Sequence, residues 1–317
     1  MGDIILTSSV VRCLKEQLNC EIDFLVKEVF SSLVSENPHV NQTHIFKKPV
    51  QNHIATLKSQ NYDIILDLQK NRKSKILANA LNAEYITFHK LNIKKWILVQ
   101  SRINLLPKKH IVDRYFDTVE KLGVYNDNKG NEIFIDADTK SSVEMFDLPS
   151  NYMTIAVGAQ HRGKTMSTVQ LKHVISRSSV PVVLLGGSAE TALAMELELS
   201  LSRTNLINLS GQTSILQLAE IIRRSKLLLS GDTGAMHMAS AFKVPQVSVW
   251  GCTTPNLGMW PYLCHEKSIL IEPYDHSHRP CSKLGNRCKY APNWCIESVD
   301  PELISDGVSA ILSEQGF

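Results

Sequence analysis

Short apolar runs alternate with amphipathic stretches of helical period along almost the whole chain, and that alternation constrains the fold more than any other feature. A strand, a helix and a second strand of similar apolarity are suited to a parallel sheet covered on both faces. In the first half the spacing predicts strands at 21–26, 44–47, 62–68 and 84–88, with helices at 9–18, 51–59 and 72–81. A polar interval at 125–142, rich in Asn, Asp and Lys, precedes Leu148-Pro149, and the pattern then restarts. Strands are expected at 153–157, 181–185, 206–209, 226–229 and 246–250, with helices at 167–176, 190–201, 214–225 and 234–242. Five strands and four helices suffice for a complete doubly wound sheet. The chain reads as two α/β domains, residues 1–147 and 148–317, with a last helix at 301–313 that carries Pro301 in its first turn. Its 317 residues exceed what one ordinary core holds.

The start departs from the pattern. Gly2-Asp3 leads straight into a helical stretch, whereas a doubly wound domain opens on a strand that ends up near mid-sheet. Either residues 4–6 form a short strand, or the first strand of the N-terminal domain is missing here. On the second reading Met1 is an internal methionine and the natural chain begins about ten residues earlier. Without that strand the first sheet would leave backbone groups on both neighbours unpaired.

Composition narrows the partners. A net charge of +3 permits anionic ligands but falls short of a nucleic-acid footprint, so no nucleic acid is expected. No run of 18 apolar residues is present, and Met1-Gly2-Asp3 has no basic leader, so a cytoplasmic protein with seven reduced cysteines is expected.

Ligands of open α/β sheets sit beyond the carboxyl ends of the strands. The stretch SGDTGAMH, residues 230–237, occupies such a position. Asp232 or Thr233 can cap the following helix, and free N–H groups near Gly234 then form an anion site suited to phosphate. Gly234 admits a ligand close to the backbone, and His237 lies one turn along the same face. The plain alternative is a capped helix with a satisfied histidine.

Two further loops share this edge. VGAQHRGKTMS, residues 157–167, holds Lys164 just before a helix, where an ammonium can neutralise a diphosphate leaving group. LLGGSAE, residues 184–190, places Glu190 where it either accepts hydrogen bonds from a ribose or base or simply favours a helix N-terminus. In the first half Asp3 is either a helix cap or a general base facing the anion site across a cleft. DLQKNRKS, residues 67–74, carries Lys70, Arg72 and Lys73, which read as contacts to a phosphorylated or acidic acceptor or as a solvated face. The segment 90–110, with Lys94, Lys95, Trp96 and Arg102, is either a surface for an anionic lipid or a solvated loop.

Cys281, Cys288 and Cys295, with six residues between neighbours and His276 and His278 nearby, suggest zinc only weakly, because paired C-x₂₋₄-C spacing is missing. No metal site is assigned on this reading. Neither G-x-G-x-x-G nor G-x-x-x-x-G-K-[ST] occurs, which argues against a dinucleotide oxidoreductase and a P-loop ATPase.

Taken in order, GDIILTSSVVRCLKEQ, DIILDLQKNRKS, VVLLGG, the block from NLSGQTS to VSVWG and TTPNLGMWPY resemble glycosyltransferase family 9, the ADP-heptose:lipopolysaccharide heptosyltransferases. The resemblance runs nearly end to end. It implies a GT-B architecture, two Rossmann-like domains facing a cleft with the C-terminal helix crossing back to the first domain. It also implies an inverting, metal-independent and cofactor-free transfer of a sugar, heptose by default, from a nucleoside-diphosphate donor to a lipopolysaccharide-type hydroxyl. On this resemblance Asp3 is the general base and Lys164 contacts the donor phosphates. Asp232, Thr233, Gly234 and His237 hold the diphosphate and sugar, with Glu190 on the nucleotide. The acceptor is a glycolipid at the inner face of the inner membrane, which implies peripheral membrane contact. The late RPCSKLGNRC…WCI looks like the cysteine-bearing segment of some members, for which zinc is not the usual account. Ser9, Ala235 and Cys252 stand where the family often has proline, and the strand before Gly2-Asp3 is absent. A non-catalytic sugar-nucleotide-binding protein on the same scaffold is the competing reading, and a sugar-nucleotide epimerase or phosphorylase is disfavoured by the Gly2-Asp3 and 230–237 pairing.

Overall fold

The computed structural model describes residues 1–201, 205–275, 277–290 and 293–317. The chain divides into two units: Met1, Asp3–Leu91 and Lys109–Phe134 form the first, and Gly2, Asn92–Lys108 and Ile135–Phe317 the second.

In the first unit β1 (Asp23–Lys27) pairs in parallel with β2 (Gln42–Phe46), and β3 (Ile64–Asp67) with β4 (Glu84–Thr87), as two separate two-stranded sheets among the described residues. Val50, Leu57, Leu77 and Leu81 form a core beneath them, with Leu25, Phe46 and Ile65 packed on it. Residues 4–6 are not a strand. Gly2–Ile5 is a helical turn with Asp3 exposed in it, followed by the helix Ser8–Leu18.

The polar interval is structured by a buried cation. Arg12 is 5% exposed and donates through Nε and Nη2 to both oxygens of Asp127, each at 2.9 Å. It also donates to Glu132 Oε2 at 2.7 Å and to the Gly130 carbonyl at 2.8 Å. The Glu132 N–H donates to Ser8 Oγ, and Ser9 Oγ to Asn131 Oδ1. These long-range bonds keep residues 125–134 with the first unit. The helix Ala137–Val143 belongs to the second, where Gln217 Nε2 donates to Ser142 Oγ and Arg224 to the Lys140 carbonyl. The division therefore falls after Phe134 rather than after residue 147.

The second unit contains a parallel six-stranded sheet among its described residues: β5 (Met153–Ala156), β6 (Val182–Leu185), β7 (Leu206–Asn208), β8 (Leu227–Gly231), β9 (Gln246–Val249) and β10 (Ile269–Ile271). The spatial order is β10-β9-β8-β5-β6-β7, the doubly wound order in which the chain reverses direction across the sheet between β5 and β8. The sequence reading stopped at five strands; β10 is only three residues long, with Leu270 exposed and Ile271 buried, so it carries little periodicity. Residues of β5, β6 and β9 are buried throughout, as a sheet covered on both faces requires.

The last helix, Pro301–Ser313, belongs to the second unit. Its apolar face, Ile304, Val308, Ile311 and Leu312, lies in the core of the second unit with Val247 and Ile271. Gly307 faces the sheet, where a Cβ would make ordinary contact with Ile271, Ile269 and Val247.

Candidate active site

The crevice at the strand reversal is bounded by the loops after β5 and β8. These are the loops that hold Lys164 and residues 232–237. The structure brings them into contact. Lys164 Nζ lies 2.6 Å from Asp232 Oδ2, with the two side chains 18% and 10% exposed. Thr253 Oγ1 donates to the same Asp232 oxygen at 2.9 Å. A Cβ on Gly231 would sit 2.1 Å from the Lys164 carbonyl oxygen, so only glycine allows the two loops to close on each other.

This geometry corrects the capping expectation. Asp232 spends its carboxylate on Lys164 and Thr253, and Thr233, the N-cap residue of the helix Gly234–Ala241, makes no side-chain cap bond. The first-turn N–H groups of that helix are therefore left to an outside acceptor. Three buried polar atoms of the same stretch, 230–237, also lack a partner among the described residues: Ser230 Oγ, Thr233 Oγ1 and His237 Nδ1. Buried polar atoms in folded proteins are normally satisfied, which makes these three candidates for contact with a ligand. His237 is 3% exposed; burial, then the nearby Lys164 charge, push its imidazole down to about 3. It is neutral at ordinary pH and serves as a hydrogen-bonding group.

Glu190 lies on the neighbouring loop after β6. Its Oε2 accepts from the Gly187 N–H at 2.8 Å, and its side chain covers Gly158, where a Cβ would meet Glu190 Cγ at 2.0 Å. The Gly187 bond puts Glu190 at a helix N-terminus, as the plainer sequence reading had it, and the contact with Gly158 also ties the β5 and β6 loops together.

In the first unit the basic stretch is held by Asp67, which the sequence reading passed over. Its carboxylate accepts from the Gln69 and Lys70 N–H groups, from Ser74 Oγ and from the Tyr85 hydroxyl. Lys70 Nζ donates to the Phe88 carbonyl at 3.0 Å, Lys73 Nζ stands 5.6 Å from the Phe46 ring centroid, and Arg72 is exposed in the first turn of the helix Arg72–Ala80. Lys70 and Lys73 thus have local partners. In the segment read as lipid-facing, Lys95 is buried and Arg102 donates to the Val99 carbonyl, which corrects their expected exposure. Ile93, Trp96, Ile103 and Leu105 are exposed instead.

The sequence reading also missed Thr253 and Arg279, and gave Ser230, at the start of its stretch, no role of its own. Arg279 is buried and donates to the Gly251, Trp250 and Thr253 carbonyls and to Glu272, fixing the loop that carries Thr253. Thr253 follows an apolar strand as the second glycine-proximal hydroxyl at this edge, and that is the only local signal it gives.

The fold is that of the GT-B glycosyltransferases, seen in solved structures matching this chain over nearly its whole length. The glycosyl transferase family 9 structure from Veillonella parvula superposes with a TM-score of 0.81 at 21% identity, over 99% of this chain and 94% of that one. The ADP-heptose lps heptosyltransferase II of Escherichia coli gives 0.77 at 19%, over 100% and 97%. Among curated relatives, lipopolysaccharide heptosyltransferase 3 of Escherichia coli K12 is 24% identical over 275 residues, 80% of each chain. Residues 50–290 match glycosyltransferase family 9 (heptosyltransferase), and the chain belongs to that family. It is a glycosyltransferase.

Proposed function

We propose that this enzyme transfers heptose from ADP-heptose to a hydroxyl of a lipopolysaccharide-type glycolipid, with inversion and without a metal at the leaving phosphate. The single observation that supports the donor half is the set of unpartnered buried atoms, Ser230 Oγ, Thr233 Oγ1 and His237 Nδ1, beside an uncapped helix N-terminus. The relatives named above supply the sugar and acceptor classes. In the step, Asp3 takes the proton of the acceptor hydroxyl and the acceptor oxygen attacks the anomeric carbon on the face opposite the diphosphate. The bond from the anomeric carbon to the phosphate oxygen breaks, and the departing charge is taken up by Lys164 and the Gly234 helix end. The contact of Lys164 Nζ with Asp232 Oδ2, at 2.6 Å beside the Gly234 helix end, supports this reading of Lys164.

A thermal-shift panel of nucleoside-diphosphate sugars tests the donor. ADP-heptose at 100 times its Kd is expected to stabilise the protein by about 2.7 kcal/mol, with UDP- and GDP-sugars far less effective. Equal shifts from all three nucleotides would remove the adenine preference, and no shift from any would remove the donor site.

The lipid side of the acceptor is assigned to Ile93, Trp96, Ile103 and Leu105, with the exposed Lys94 beside them. No helix among the described residues is long and apolar enough to cross a membrane. Co-sedimentation with anionic phospholipid vesicles is expected for the unmodified protein and weakened several-fold in Trp96→Ser. Identical sedimentation of the two would set this surface aside.

A further inference from the structure

Four cysteines from separated parts of the second unit converge on one point. Cys252 follows β9, Cys281 and Cys288 lie in the long loop after β10, and Cys295 is in the helical turn Trp294–Glu297. Their four Sγ atoms all lie within 4.8 Å of one another. Cys281 and Cys295 Sγ are 3.3 Å apart, and Cys288 and Cys295 Sγ 3.8 Å. Cys252, Cys281 and Cys295 are buried, and none of the four is in a disulfide. His278 packs against Tyr290 and Trp294 in tilted and edge-on contacts, and His276 lies outside the described residues.

We propose that Cys252, Cys281, Cys288 and Cys295 bind a single tetrahedral thiophilic divalent ion, zinc or iron(II), and that this ion braces the loop carrying Lys164. Four sulfurs around one ion at the usual zinc–thiolate distance of about 2.3 Å would stand about 3.8 Å apart along each tetrahedral edge. The observed spacings bracket that value. An iron–sulfur cube would separate its thiolates by several intervening atoms, so the cluster fits one ion. Thiolate ligands exclude hard cations such as magnesium and calcium as occupants. Binding converts four S–H groups to thiolates and releases four protons, with no change of oxidation state. The resulting excess of negative charge lies in a segment that carries Arg279, Lys283, Arg287 and Lys289 and no acidic residue from 279 to 289.

The bracing follows from the backbone. The Cys252 N–H donates to the Gly163 carbonyl at 2.9 Å, and the Cys281 N–H to the Cys252 carbonyl at 3.0 Å. The Gly163 N–H donates to the Gly285 carbonyl at 3.2 Å. Gly163 is so close that a Cβ there would lie 2.7 Å from Cys252 Sγ, and a Cβ on Gly285 would lie 2.8 Å from Lys164 Cγ. Both cysteine-bearing loops thus clamp the residue next to Lys164. The ion takes no part in the transfer step, and its detection does not depend on the donor assigned above.

The test uses the full chain purified under reducing conditions without added metal or chelator. Elemental analysis is expected to find close to one zinc or iron per chain, and which of the two predominates identifies the ion. Exchange into cobalt(II) is expected to produce the visible and thiolate charge-transfer bands of a tetrahedral cobalt site. Cys288→Ser, at the half-buried ligand, is expected to lower metal affinity about tenfold or more with circular dichroism unchanged, whereas Cys20→Ser keeps full occupancy. Chelation is expected to speed amide hydrogen exchange in the 158–166 peptide. Metal well below one-tenth per chain together with no cobalt bands, or disulfides among the four, would overturn the site. A full metal complement with unaltered exchange at 158–166 would overturn the bracing role.

Discussion

Asp3→Asn is expected to lower the rate of transfer by about 10²–10⁴ while the affinity for the nucleoside diphosphate stays within twofold of the unmodified enzyme. The side chain is exposed in a four-residue helical turn, so stability is expected to stay unchanged. Asparagine keeps the shape and removes the proton acceptor. Single-turnover transfer with saturating donor, beside donor titration followed by intrinsic fluorescence, separates the two effects. Turnover within threefold of the unmodified enzyme would take the base role away from Asp3. A parallel loss of donor affinity would make it a binding residue instead.

The second large effect concerns stability. Arg12→Met leaves the Asp127 and Glu132 carboxylates, 14% and 21% exposed, without the guanidinium they share. Removing one partner of a buried ion pair costs about 3–5 kcal/mol, far more than the pair itself adds over an apolar substitute. A drop of that size in the urea unfolding free energy is expected, and a loss below about 1 kcal/mol would mean the network behaves as a surface pair. The pH dependence carries a sign. Burial alone would raise the Asp127 carboxyl, but its bonds from Arg12 and the Lys129 N–H hold it below the ordinary carboxylate range. A depressed carboxyl contributes stability above its unfolded value of about 3.9 that is lost as pH falls through the lower folded value. The gap between the unmodified protein and Arg12→Met should therefore narrow below about pH 4.

The proposed donor site was partly legible. Glycine, carboxylate, hydroxyl and imidazole at 231–237 are local signals, and so is Lys164 before its helix; both loops lie where a doubly wound sheet puts ligands. What those side chains do was not legible. Asp232 has the sequence of a cap, yet its carboxylate is claimed by Lys164 and Thr253, which are distant along the chain. Cys252 shows the same limit more sharply. In sequence it is an isolated cysteine at a position where the family often has proline, and the three later cysteines lack metal-ligand spacing. Only the return of the chain after β10 sets all four sulfurs within 4.8 Å.

By itself the sequence determined the parallel α/β architecture, because the alternation of apolar strand and amphipathic helix reflects burial on both faces of a sheet and needs no knowledge of long-range contacts. It also determined which loops carry polar chemistry, since a charged or hydroxyl residue at a strand end has nowhere apolar to go. Tertiary structure alone decided the partners: Arg12 with Asp127 and Glu132, Lys164 with Asp232, and the four cysteines with each other. Each of those pairings brings together groups remote in the chain, and their energy depends on the burial and approach that folding creates rather than on any local spacing.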